Sequence, residues 1–99
     1  MTSHLLHNQY IEFTFDQEEV TSFNFNTLKQ YINEKLADED SYNVIIFNMA
    51  VVRYIDSSGV ALLINIRKKY GKEVILKNCS ETIIKVIEVV GLKDEFEFI

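Results

Sequence analysis

Residues 44–63 read VIIFNMAVVRYIDSSGVALL. Val44-Ile45-Ile46-Phe47 is a continuous apolar run of strand length, as expected of a central parallel strand covered on both faces. After a mixed stretch, Asp56-Ser57-Ser58-Gly59 stands at the head of a second apolar segment, Val60-Ala61-Leu62-Leu63-Ile64. The change from a short strand-like run to a longer apolar stretch predicts a helix, opened by Ser57 or a neighbour and running to about Tyr70. Gly71 suits its C-terminal cap.

The same alternation extends outward in both directions. Upstream, Tyr10 to Phe15 places Ile11, Phe13 and Phe15 on one face, which predicts a half-buried strand. Asp16 to Thr21 is polar and reads as a loop. Phe25, Leu28, Ile32 and Leu36 recur at three or four residues, an amphipathic helix that Ser22, Asn24 or Asn26 could cap. Asp38-Glu39-Asp40 reads as a solvated turn. Downstream, Val74-Ile75-Leu76 predicts a second short buried strand. Ser80 suits the cap of a third helix carrying Ile83, Ile84, Ile87 and Val90 and closed by Gly91, and Phe96 to Ile99 is a last extended segment. Strand and helix thus alternate through seven elements, which predicts an α/β fold with a mostly parallel sheet and helices packed on it.

The chain has 99 residues, 47% of them apolar and 25% charged, which suits one globular domain over 1–99. Its 10 basic and 15 acidic residues leave a net charge of −5. Nucleic acid is therefore not expected as a ligand, because phosphate binding needs clustered Lys and Arg. The basic run Arg67-Lys68-Lys69 falls late in the second predicted helix, where cations suit the negative helix end. The single cysteine, Cys79, excludes an internal disulfide, fits a cytoplasmic location and reads as a structural thiol. No apolar run approaches the roughly 20 residues of a membrane span, so no membrane insertion is expected. The N-terminus lacks the pattern of a signal peptide.

In open parallel sheets, functional loops gather at the carboxyl ends of the strands, and Asp56-Ser57-Ser58-Gly59 lies in such a loop. Asp56, Ser57 and Ser58 all suit an N-cap. Gly59, without a side chain, would let a partner approach the backbone. A helix start tolerates anions, and a phosphate on a serine there would add about −1.5 to −2 charges. A plain helix cap is the simpler account of these four residues taken alone.

Their setting says more. Residues 44–63, with Val74 to Leu76 and Val89-Val90-Gly91-Leu92, resemble the STAS-domain anti-sigma factor antagonist family. In that family a buried strand leads through a short loop to an Asp-Ser-Ser-Gly or Asp-Ser-Thr-Gly turn and then an apolar helix. The resemblance implies that Ser57 is phosphorylated and that Tyr54, Asp56, Ser57, Ser58 and Gly59 meet the partner. It implies two proteins acting on the chain, an anti-sigma factor that is itself a serine kinase and a PP2C-like phosphatase. The unphosphorylated form would bind the kinase and release sigma factor; phosphorylation would weaken that complex. The chain departs from the family at Glu18-Glu19-Val20-Thr21, where a Gly-Glu-Leu-Asp-like turn is frequent, and at Asn48, where an aspartate is common. It also stops at Ile99, where many relatives continue into a final helix.

An enzyme is not expected. There is no Gly-x-Ser-x-Gly elbow and no Walker-type glycine loop. His4 and His7 are the only histidines and lie far along the chain from Ser57. They could share a metal at their spacing of three, but no further ligand is evident, so neither metal nor cofactor is expected. The competing reading is a STAS module serving another assembly, as a scaffold of a stress-signalling complex or a regulatory subunit of a lipid transporter.

Overall fold

The computed structural model describes residues 3–6, 9–39 and 41–99, the first four by their backbone alone. Its strands are β1 (Ser3–Leu6), β2 (Tyr10–Thr14), β3 (Glu19–Val20), β4 (Val44–Asn48), β5 (Tyr54–Ile55), β6 (Glu73–Lys77) and β7 (Glu97–Phe98). The helices are α1 (Phe25–Ala37), α2 (Ser57–Tyr70) and α3 (Glu81–Val89), with one 3-10 turn at Lys93–Glu95. The main sheet has the order β1-β2-β4-β6-β7, and only the β1–β2 pair is antiparallel. The α/β fold with a mostly parallel sheet is therefore as expected. β1 is an addition, in a segment without strand-like alternation; it carries His4, while His7 lies outside the described residues.

Register aligns Ile11, Ile45 and Val74 across the three central strands, and likewise Phe13, Phe47 and Leu76. All six are buried, and one core cluster joins them to Leu28, Ile32 and Leu36 of α1, Leu62, Leu63 and Ile66 of α2, and Ile83 and Ile87 of α3. Phe13 and Phe47 stack with ring centroids 5.6 Å apart. Each such side chain contributes about 1.5–3 kcal/mol by leaving water.

The opposite sheet face departs from expectation. Ile46 is buried but lies outside the core cluster. It stands in register between Glu12 and Ile75, where Lys77 pairs with Glu12 at 3.6 Å and Asn48 donates to Glu12 at 3.4 Å. Neighbouring strands, rather than helices on both sides, cover Ile46. The apolar run in β4 thus resembles that of a doubly covered strand because one of its outward residues is shielded within the sheet.

The segment read as a loop, Asp16 to Thr21, holds a second correction. Glu19 and Val20 pair in parallel with Tyr54 and Ile55, forming a separate two-stranded ladder. Val20 and Ile55 are both buried. Two residues are too few for a periodic signal, and the partner lies more than thirty residues away. This ladder holds the start of α2 against the approach to α1.

Candidate functional site

Asp56 is the N-cap of α2, with extended backbone (φ −105°, ψ −173°). Its Oδ1 accepts the Gly59 N–H at 2.9 Å, satisfying one of the donors that a helix start leaves free. Its Oδ2 accepts the Ser22 N–H at 3.1 Å. Of the three candidate caps, the aspartate therefore takes the role, and both of its oxygens are engaged within the chain. Ser57 and Ser58 become the first two residues of the helix, Ser57 exposed and Ser58 half-buried.

Gly59 corrects an expectation. It is buried, and a Cβ built on it would lie 2.2 Å from the Val20 carbonyl oxygen and 2.4 Å from Ile55 Cγ1. The space that seemed free for a partner is filled by the chain itself. The Val20 oxygen also accepts the Asp56 N–H at 3.4 Å. Glycine at 59 lets the first turn of α2 settle on the β3–β5 ladder.

Tyr54 is 53% exposed beside Glu19. Gln17, Glu18, Glu19, Asn24, Arg53 and Tyr54 line an open cleft of about 490 Å³. Arg53 and Glu18 pair across it at 3.1 Å, both largely exposed, so the pair adds little to stability.

The sequence reading missed Phe23. It lies on the turn from β3 to α1 and is 98% exposed. Besides the Ser22–Asp56 bond, four hydrogen bonds hold that turn. The Thr21 N–H donates to Asn24 Oδ1 at 3.0 Å, and the Asn24 N–H to the Thr21 carbonyl at 3.2 Å. The Phe23 N–H donates to Thr21 Oγ1 at 3.2 Å, and Asn24 Nδ2 to the Glu19 carbonyl at 2.7 Å. Asn24 occupies the N-cap position of α1 yet makes no side-chain cap, because its amide is used in the turn. The signal in the sequence was an aromatic outside the Phe25, Leu28, Ile32, Leu36 period.

Elsewhere the side chains have structural roles. Burial pushes the Cys79 thiol up to about 11, an inert state. The basic end of α2 is partnered, Arg67 with Glu95 at 3.7 Å and Lys69 with Asn33 at 3.1 Å. A second cleft of about 490 Å³, lined by Arg67, Lys72, Glu73 and Glu97 among others, lies at the amino end of β6, away from Ser57. There Glu97 hydrogen-bonds and repels Glu73, raising its pKa. No group of three metal-ligating side chains occurs among the described residues, and no helix among them is long and apolar enough to cross a membrane.

Residues 11–99 match the family model described as STAS domain. No curated protein matches the sequence. Among solved structures, the anti-sigma factor antagonist SpoIIAA in its unphosphorylated form superposes with a TM-score of 0.80 at 19% identity, covering 100% of this chain and 88% of that one. The phosphorylated form of SpoIIAA, a Bacillus cell fate determinant, gives 0.70 at 19% identity, with coverage of 100% and 91%. The murine anion transporter Slc26a9 gives 0.80 at 16% identity, over 93% of this chain but 16% of the transporter. At these identities the likeness is one of fold.

Proposed function

Since the chain belongs to the STAS domain family, we propose that it is an anti-sigma factor antagonist switched by phosphorylation of Ser57. The unphosphorylated form binds an anti-sigma factor with serine kinase activity, so that sigma factor is freed. Phosphorylation weakens that complex, and a PP2C-like phosphatase restores it. The chain is a substrate and a binding partner in this cycle and performs no catalysis of its own.

One observation carries the reading. Ser57 is exposed at the first position of α2, directly after an aspartate whose carboxylate is already satisfied by Gly59 and Ser22. A phosphate can be added there without displacing a core residue. It meets the positive end of the helix, worth about 0.3–1 kcal/mol, against repulsion from Asp56 of similar size. The fold tolerates the dianion, while a packed interface must desolvate it, which readily costs a few kcal/mol.

The fold also serves within an anion transporter, so fold alone does not choose this function over a regulatory module of a larger assembly. The exposed serine at the helix start favours the switch. Incubation with the cognate anti-sigma factor serine kinase and ATP, followed by peptide mapping, is expected to find a single phosphate on Ser57. Modification confined to Ser58 would overturn the assignment.

A further inference from the structure

We propose that Phe23 selects the partner, anchoring the kinase that modifies Ser57 through an apolar pocket with a basic rim, outside that kinase's catalytic centre. The proposal rests on the reading of Ser57 given above.

A phenylalanine that is 98% exposed gains nothing for the fold. Aromatic side chains bury about 150–250 Å² each when docked, and they dominate interface energetics. The turn that carries Phe23 is held by Thr21 and Asn24 on both sides. An aromatic on such a fixed turn loses little backbone freedom on docking.

Position links Phe23 to the switch. Ser22 donates to Asp56 at 3.1 Å, and the next residues along are Phe23 and Ser57. With consecutive Cα atoms about 3.8 Å apart, the Cα atoms of Phe23 and Ser57 lie within about 16 Å of each other. A standard interface covers about 800 Å² per partner, a patch roughly 30 Å across. One partner seated over Ser57 therefore reaches Phe23.

Charge and shape identify the occupant's chemistry. The cleft beside the turn is lined by Glu18, Glu19, Asn24 and the half-exposed ring of Tyr54. Arg53 offsets Glu18, leaving Glu19 as an exposed carboxylate on a chain of net charge −5. A basic rim matches this surface, with an arginine or lysine able to lie on the Tyr54 face. An acidic or uniformly polar partner surface does not.

The test measures initial rates of Ser57 phosphorylation by the purified cognate anti-sigma factor kinase against concentration of wild type, Phe23→Ser, Phe23→Leu and Val89→Ser. Val89, 75% exposed on α3, is the apolar control. Phe23→Ser is expected to raise KM at least about tenfold with kcat within about twofold, since docking lies apart from chemistry. Phe23→Leu should recover part of the loss, Val89→Ser should match wild type, and all four should melt alike. A wild-type KM in Phe23→Ser, with Ser57 phosphorylated normally, would overturn this proposal alone. No phosphorylation of the wild-type chain would overturn the reading of Ser57 as well. Concentration-dependent dimers of wild type, abolished in Phe23→Ser, would assign Phe23 to a second copy of the chain and overturn the proposal.

Discussion

Gly59 sits so close to Val20 that a Cβ on the glycine would lie 2.2 Å from the valine's carbonyl oxygen. That oxygen belongs to β3, which is fixed in register with β5, and Ile55 presses on the same space from the other side. Gly59→Ala must therefore push α2 off the ladder. Overpacking of this kind costs about 1–3 kcal/mol, more than the roughly 1 kcal/mol alanine gains as a helix former. Thermal unfolding should show a drop of about 4–8 °C per net kcal/mol lost. A melting temperature at or above wild type would mean that the helix start can shift freely.

Asp56 joins two parts of the site, and its substitutions should separate them. Asp56→Ala removes the acceptor for both Gly59 and Ser22 and should cost about 1–2 kcal/mol in urea unfolding. Asp56→Asn keeps one carbonyl oxygen, which can still cap α2, so its loss should be smaller. Equal stability of Asp56→Ala and wild type would remove the cap and the Ser22 tie from the account.

Much of this architecture is legible in the sequence because its longer elements repeat. Ile11, Phe13 and Phe15 alternate, Leu28, Ile32 and Leu36 follow a helical period, and each lands in the core. Ser80 caps α3 by accepting the Ile83 N–H, as its place before the apolar period suggests. What escapes is pairing at a distance. The β3–β5 ladder has two residues per strand, and the Ser22–Asp56 bond spans 34 positions. In sequence, where that ladder does not show, Gly59 looks like room for a partner. The one-sided core escapes for a related reason: Ile46 is apolar in sequence, and only the register shows Glu12 and Ile75 as its cover.

Cys79 supplies a pH-dependent test. Burial raises its thiol to about 11 from the ordinary 9.0. At pH 8 the thiol should therefore alkylate far more slowly in the folded chain than in urea. A folded pKa above the unfolded one means that its contribution to stability is fully present below pH 9. That contribution is lost as pH rises from 9 toward about 11. Rapid alkylation of the native protein at pH 8 would show an open, ionised thiol instead.

Phosphorylation should act locally, and locality here is defined by contact rather than by sequence. Backbone amide shifts on phosphorylation of Ser57 should gather at residues 55–60 and at Ser22 and Phe23, which the Asp56 carboxylate joins to them. Changes running through β6 and β7 would indicate a rearranged fold and contradict local blocking.

The switch acts on binding, which calorimetric titration of the anti-sigma factor measures. Wild type, Ser57→Ala, Ser57→Asp and the stoichiometrically phosphorylated chain should all melt at nearly the same temperature. Wild type and Ser57→Ala should bind alike, while Ser57→Asp and the phosphorylated chain should bind at least about tenfold more weakly, a difference of 1.4 kcal/mol or more. Equal affinity of the phosphorylated and unphosphorylated chains would contradict the switch.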